Sequence, residues 1–272
     1  MRINQNVAAY NSFRNLAATN TQLGKSLEKL SSGFRINRAA DDAAGLAKSE
    51  SLRAEIRGSR QAIRNAQDGV SFVQTAEGAL NEVHAILQRM RELAVDAANT
   101  ATTTGTAQQA EVTQLLAEID AIGANSTFAG KKVFQNYAGS AALTFHVGSG
   151  AGQTLTITND LALTSADVFG ASLSTINVST GADAAITAID GAIGSVSSTR
   201  ATLGATQNRL EHTVANLSVA VENLSASESR VRDTDMAEEM VSFTRHQIMV
   251  QAGTAMLAQA NQVPSTVLAL LQ

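Results

Sequence analysis

The side chains with catalytic potential are scattered along the chain. The four histidines are not spaced as metal ligands on one helix face, and no His-Glu-x-x-His pattern occurs. Cysteine is absent, which excludes disulfides, thiolate nucleophiles and zinc–thiolate sites. The neighbouring carboxylates Asp41 and Asp42 have the right type for acid–base catalysis, but no His, Tyr or Lys is expected to converge on them. We therefore predict that they cap a helix and form ion pairs.

Two glycine-containing stretches lack the spacing of nucleotide-binding loops. The run Gly148 to Gly152 is not G-x-G-x-x-G, and it precedes a predicted strand rather than a helix. Gly130, followed by two lysines, lacks both the upstream glycine and the following Ser or Thr of a P-loop. No nucleophile elbow of the G-x-S-x-G type occurs either. We predict no enzymatic activity, no cofactor and no metal ion.

The composition narrows the class of protein further. The 272 residues contain 20 Lys and Arg against 24 Asp and Glu, a net charge of −4, which argues against a nucleic-acid-binding protein with a basic face. The stretch 247–272 has no charged side chain, but its many amides argue against a membrane span. The N-terminus has no pattern of a secretory signal peptide. Aromatic residues make up 4% and there is 1 proline, which favours long helices over a large compact core.

Apolar residues with seven-residue spacing predict the long helices. The clearest series runs through residues 186–224 and contains Ile189, Val196, Leu203, Leu210, Leu217 and Leu224. A second seven-residue series, offset from the first, runs through the same stretch. Arg200 and Gln207 interrupt this second series, as polar residues that fix helix register do. Similar spacing predicts a second long helix over about 41–99 and a third over about 106–122.

The two ends of the chain also have helical spacing, and their charges are opposite. Residues 1–40 contain six basic residues and one acidic residue, a net charge of +5, whereas 233–272 contain four acidic residues and one basic residue, a net charge of −3. The apolar positions that we expect to be buried are Phe13, Leu16, Leu23, Leu27 and Leu30 near the start, and Met240, Phe243, Val250 and Leu257 near the end. We predict that the two terminal helices, over about 3–32 and 235–270, pair with each other.

The middle of the chain has a different composition. Residues 133–199 contain no Lys or Arg over 67 positions and are rich in Gly, Ser, Thr and Ala. Alternating apolar and polar residues at 143–147 and 154–158, separated by glycines, predict a β-hairpin, and 125–137 predict a further turn-rich strand pair. The predicted fold class is therefore mainly α: an elongated antiparallel helical bundle or coiled coil with small β-hairpins in the middle.

Several long motifs resemble those of bacterial flagellins, in the same order along the chain. In the N-terminal half they are MRINQNVAA at 1–9, KLSSGFRINR at 29–38 and LQRMRELAV at 87–95. In the C-terminal half they are LGATQNRLE at 203–211 and ESRVRDTDM at 228–236. The resemblance covers about residues 1–137 and 184–272, and the stretch between them matches only loosely, as the family's variable segment does.

The resemblance implies a structural subunit that polymerises into the bacterial flagellar filament. The implied division has five parts: 1–40 and 233–272 as the arms of the filament inner core, 41–137 and 184–232 as the outer core, and 138–183 as a short variable segment. Implied partners are further copies of the chain, the export chaperone at the C-terminal helix, hook-associated and cap proteins, and a host Toll-like receptor. The implied location is the extracellular filament, reached through the flagellar type III export apparatus.

The resemblance also implies functional residues. Arg89, Leu93 and Glu111 match family positions that contact neighbouring subunits and that the Toll-like receptor binds.

Two alternatives to a filament subunit are a hook–filament junction protein, which is similar at the termini, and an enzyme built into the variable segment. The latter would have only His146 and three carboxylates within 138–183, too few for a credible active site.

Overall fold

The computed structural model describes residues 5–99, 105–135, 143–157, 163–164, 167–168, 173 and 176–270, without the side chains of 167 and 263–270. The described residues form five helices and three antiparallel strand pairs. The helices are α1 (Val7–Ser32), α2 (Ala43–Ala97), α3 (Thr106–Asn125), α4 (Ala182–Arg232) and α5 (Met236–Leu270). The mainly α fold class is confirmed, and each helix predicted from apolar spacing is present.

Short polar side chains begin three of these helices. The Asn6 side-chain oxygen accepts a hydrogen bond from the Ala9 amide at 3.0 Å, and Asp42 accepts one from the Gly45 amide at 2.9 Å. Asp235 accepts bonds from the first amides of α5, at 2.8 Å and 3.3 Å. Helix α1 ends at Gly33, whose φ of 74° is the left-handed conformation that glycine adopts without steric cost. Local sequence therefore sets these helix ends.

The strands form three two-stranded hairpins. They are β1 (Thr127–Phe128) with β2 (Lys131–Lys132), β3 (Leu143–His146) with β4 (Thr154–Ile157), and β5 (Leu163–Thr164) with β6 (Asp167–Val168). The hairpins predicted over 143–158 and within 125–137 are thus confirmed. Ala129 and Gly130, between β1 and β2, both have positive φ, as a type I′ turn requires. Much of the predicted variable segment 138–183 lies outside the described residues.

The chain divides into two compact units. One consists of Met1–Ala54 and Asn223–Gln272, here called the terminal unit, and the other of Glu55–Glu222, here called the central unit. Both boundaries therefore fall within helices, one in α2 and one in α4. The five-part division implied by the flagellin motifs remains a prediction.

The central unit is built on the heptad residues of its two long helices. Those of α2 and α4 that are buried in one cluster include Val73, Leu80, Leu87, Ile189, Val196 and Leu203. Helix α3 adds Val112 and Ile119 to this cluster, both fully buried. The Phe72 ring packs edge-on against Phe128 of β1, with ring centroids 5.9 Å apart. The core is thus aliphatic with a small aromatic group at the hairpins.

Candidate assembly surfaces

The helices at the two ends of the chain pack against each other within the terminal unit. Six of the nine predicted inner-core residues are half-buried there: Leu16, Leu23, Leu30, Phe243, Val250 and Leu257. Gly253 of α5 allows close approach, since a Cβ atom added to it would lie 3.2 Å from the Leu16 methyl carbon Cδ1. The predicted pairing of the terminal helices is confirmed.

Polar contacts fix the register of the α1–α5 pair near both of its ends. The Asn6 amide nitrogen Nδ2 donates to the Ala260 carbonyl at 2.8 Å, so Asn6 both caps α1 and contacts α5. Toward the other end, Lys29 Nζ lies 3.6 Å from Glu239 Oε2. Because these contacts lie near opposite ends of α1, they hold the helices against sliding, whereas the half-buried apolar residues between them supply the packing.

The two connections next to this pair are joined to each other. The Arg35 amide donates to the Arg232 carbonyl at 2.7 Å, and the Thr234 amide donates to the Gly33 carbonyl at 3.0 Å. The Arg232 guanidinium lies over the Phe34 ring, 4.7 Å from its centroid. These contacts join the α1–α2 connection to the α4–α5 connection. The sequence motifs at 29–38 and 228–236 include these residues, but their spacing did not predict the contact.

Charged groups strengthen this junction of the two connections. Arg232 Nη1 donates to Glu50 Oε1 at 2.9 Å, and this hydrogen bond, opposed by desolvation and helped by the nearby Arg53, lowers the pKa of the Glu50 carboxyl. Hydrogen bonds from the Arg38 and Asn37 amides to Asp41 Oδ2 lower the pKa of the Asp41 carboxyl, with Lys25 and Lys29 adding to the effect. Both carboxylates therefore have structural partners.

Exposed apolar side chains are concentrated on α1 and α5. Among the described residues, ten of the twelve large apolar side chains that are exposed belong to these helices. They are Val7, Tyr10, Phe13 and Leu27 on α1, and Met236, Met240, Val241, Ile248, Met249 and Met256 on α5. The three predicted inner-core residues that the α1–α5 pair leaves exposed, Phe13, Leu27 and Met240, are all in this set. Exposed apolar surface of this kind is typical of sites that another protein covers.

The central unit contains the other predicted site. Arg89 Nε of α2 donates to Glu111 Oε1 of α3 at 2.9 Å, and Arg89 Nη1 lies 3.2 Å from Glu92 Oε2. The bond to Glu111, followed by the one to Glu92, raises the pKa of Arg89. Leu93 is 6% exposed and packs in the core. The structure thus joins Arg89 and Glu111 on the surface and places Leu93 beneath it.

The described residues contain no group of three or more His, Cys, Asp or Glu side chains arranged to hold a metal ion. In the same part of the chain, no helix is both long enough and apolar enough to cross a membrane.

Comparison with known proteins decides the family. Residues 3–138 match the bacterial flagellin N-terminal helical region, and residues 186–271 match the bacterial flagellin C-terminal helical region. The chain belongs to the bacterial flagellin family. It is 47% identical to the flagellin of Bacillus subtilis strain 168 and 49% identical to that of Halalkalibacterium halodurans, with all of each chain covered. It is 47% identical to the flagellar filament 33 kDa core protein of Treponema phagedenis, again over all of both chains.

These similarities confirm the resemblance to bacterial flagellins that the sequence motifs indicated. The chain is a structural subunit of the bacterial flagellar filament, and the matched regions and relatives favour this function over that of a hook–filament junction protein. The helices α1 and α5, which carry ten of the twelve large apolar side chains exposed among the described residues, lie within the two matched family regions.

Proposed function

We propose that this chain polymerises by burying the exposed apolar faces of α1 and α5 against neighbouring subunits. The observation that supports the proposal is the concentration of exposed apolar side chains on these two helices. Phe13, Leu27 and Met240 make contacts between subunits. The half-buried residues Leu16, Leu23, Leu30, Phe243, Val250 and Leu257 hold α1 and α5 together as one assembly element.

The driving force is the removal of apolar surface from water. Each Å² of apolar surface that is buried contributes roughly 25 cal/mol, and this gain must exceed the entropy lost when helices and side chains are ordered. Phe13 and Met256 are 63% and 62% exposed, so each has most of its side-chain surface available for a neighbouring subunit. Both terminal helices are expected to become more ordered when the filament forms.

The pair Arg89 and Glu111 forms a second contact between subunits, on the central unit. The proposal rests on the match to the family positions, and it is supported by the exposure of both side chains, 51% and 44%. Leu93 is itself buried in the core, so it contributes by holding this part of α2 in place. A host Toll-like receptor would bind the same surface on a free subunit.

The remaining partners follow from the family and from the exposed face of α5. An export chaperone covers α5 before assembly, and hook-associated and cap proteins contact the ends of the polymer. The site of function is the extracellular filament, reached through the flagellar type III export apparatus. The apolar side chains exposed on α5 support the chaperone assignment, since such a surface requires cover before assembly.

The experiment that tests polymerisation uses the purified full chain. Addition of sulfate salt or of short filament seeds should produce long filaments visible by negative-stain electron microscopy. A chain that stays monomeric at high concentration with salt and seeds would contradict the proposal.

A matched pair of variants tests the second contact. Arg89 and Arg91 lie on the same helix, have similarly exposed side chains (51% and 48%), and each forms an ion pair with another helix. Arg89→Ala should raise the protein concentration needed for polymerisation, whereas Arg91→Ala, which loses its bond to Asp190, should leave it unchanged. Equal effects of the two substitutions would show that the surface around Arg89 has no special part in assembly.

A further inference from the structure

The methionines of this chain are unevenly distributed. Of the 6 methionines in the sequence, Met90 is fully buried in the central core and Met1 lies outside the described residues. The other four, Met236, Met240, Met249 and Met256, are all on α5.

These four side chains are exposed and supply much of the apolar surface of α5. Their exposed fractions are 48%, 49%, 40% and 62% in chain order. Only two other large apolar side chains on the described part of α5, Val241 and Ile248, are similarly exposed, at 60% and 59%. Met240 and Met249 line a shallow apolar groove together with these two residues. On the described part of α5, four of the six exposed large apolar side chains in the proposed assembly surface are therefore thioethers.

A thioether differs from other apolar groups in that an oxidant makes it polar. Oxidation to the sulfoxide converts a flexible apolar side chain into a polar, chiral one and disrupts methionine-rich interfaces. The chain contains 0 cysteines, so no thiol competes for the oxidant. Exposure decides which methionine reacts, and the fully buried Met90 is an internal reference.

We propose that Met236, Met240, Met249 and Met256 form an oxidation site that blocks assembly of the free subunit. The proposal rests on the assembly role of α5 proposed above, and the oxidant belongs to the peroxide class. The sulfur lone pair attacks one peroxide oxygen, the O–O bond breaks and an S–O bond forms. With hydrogen peroxide, hydroxide leaves and takes the proton from the transferred oxygen, which gives the sulfoxide and water; sulfur loses two electrons and the peroxide gains them.

The site is open in the free subunit and closed in the polymer. Burial of a sulfoxide against a neighbouring subunit removes its hydrogen bonds to water without replacing them, so oxidised subunits do not add to a filament. Subunits already in a filament have the same side chains covered and react slowly. Oxidation thus acts on the subunit before assembly, and a sulfoxide reductase reverses it.

The test compares four samples of the purified full chain: untreated, treated with hydrogen peroxide, treated and then reduced by methionine sulfoxide reductases with a thiol reductant, and assembled before treatment. Peptide mass spectrometry gives the sulfoxide at each methionine, and sedimentation gives the protein concentration needed for polymerisation. We expect the four α5 methionines to oxidise before Met90 and to be protected in filaments. Oxidation should raise the required concentration roughly tenfold or more. Reduction should restore the original concentration.

The matched control replaces all four α5 methionines by leucine, which has similar volume and resists oxidation. Peroxide treatment of this variant should leave its polymerisation unchanged. If the variant fails to assemble, recovery of the oxidised original chain by the reductase decides the question in its place.

Some results would overturn only this inference. If confirmed sulfoxide at the α5 positions leaves polymerisation unchanged, or if reduction does not restore it, the inference is wrong and the proposed assembly role remains. If the α5 methionines oxidise equally fast in filaments and in free subunits, the burial of this face is also wrong. Failure of the untreated chain to polymerise would refute the proposed function itself.

Discussion

Replacing Val241 by threonine isolates the contribution of the exposed apolar face of α5 to assembly. Valine and threonine have nearly the same shape and are both β-branched, so the substitution changes helix propensity little. Val241 is 60% exposed, so the isolated subunit should lose little stability. Any large effect should appear only when this face is covered by a neighbouring subunit.

The expected magnitude follows from the exposed fraction. Burying a valine side chain completely stabilises by ~1.5 kcal/mol or more, so the exposed 60% of Val241 corresponds to about 1 kcal/mol on assembly. The Val241→Thr variant loses most of this stabilisation, because assembly removes the threonine hydroxyl from water. A loss of about 1 kcal/mol per subunit raises the protein concentration needed for polymerisation about fivefold.

Val219 provides the matched control. It is also a valine in the middle of a helix, it is 57% exposed, and it belongs to the central unit. We expect Val219→Thr to polymerise like the original chain, and both variants to have the circular dichroism of the original subunit. Sedimentation after seeding measures the concentration that remains unpolymerised. Equal shifts for the two variants, or none for Val241→Thr, would refute the assignment of the assembly surface to α5.

Three further predictions concern stability of the free subunit. The pKa of Glu50 is lowered by Arg232, so its stabilising effect is present above the ordinary carboxyl pKa and disappears as the pH falls through the lower folded-state value; urea midpoints of the original chain and Glu50→Gln should differ at neutral pH and converge in acid. Leu80 is fully buried, so Leu80→Ala should lower the free energy of unfolding of the central unit by ~2–5 kcal/mol, and a loss below about 1 kcal/mol would contradict its place in the core. At Gly105, with φ of 67°, an added Cβ would lie 2.8 Å from a backbone carbon of the loop before α4, so Gly105→Ala should lower the melting temperature. The control Gly191→Ala, at a helical glycine with no atom within 4 Å of the added carbon, should raise the melting temperature, and the same sign for both glycines would count against this geometry.

Helical periodicity predicted the long elements well because the burial of one face requires it. The heptad residues of α4 illustrate this, since Ile189, Val196 and Leu203 are all buried. Farther along the same series, Leu217 and Leu224 are only half-buried. The repeat in the sequence does not distinguish these two groups, because burial depends on which other elements pack against each turn of the helix.

Charge predicted the pairing of the terminal helices, but packing explains much of the contact. The net charges of the two ends are opposite, yet the half-buried residues of α1 between Asn6 and Lys29 include the uncharged Leu16 and Leu23. The predicted polar role of Arg200 has a partner in the structure, with its Nη2 atom 3.6 Å from Glu77 Oε1 on α2. The sequence thus predicted which helices pair, but it did not predict the individual contacts between them.

The spacing of residues in the sequence did not predict contacts between irregular segments that are far apart in the chain. The junction around Arg232 joins two connections that are far apart in the chain and have no periodic pattern. Gln109 of α3 is a second example, because its side chain accepts a hydrogen bond from the Val178 amide at 2.7 Å and donates to the Ile176 carbonyl. The burial of Leu93 in the central core likewise depends on three-dimensional packing that its position in the sequence does not reveal.

Amide hydrogen exchange of the free subunit and of the assembled polymer tests the central claim most directly. The samples are dilute full-length chain and sedimented filaments, compared peptide by peptide. If α1 and α5 form the assembly core, peptides from 7–32 and 236–270 should exchange rapidly in the free subunit and become strongly protected in the polymer. Peptides around the buried core of the central unit should be protected in both states. Strong protection of α1 and α5 in the dilute subunit, or new protection confined to residues 55–222, would contradict the claim.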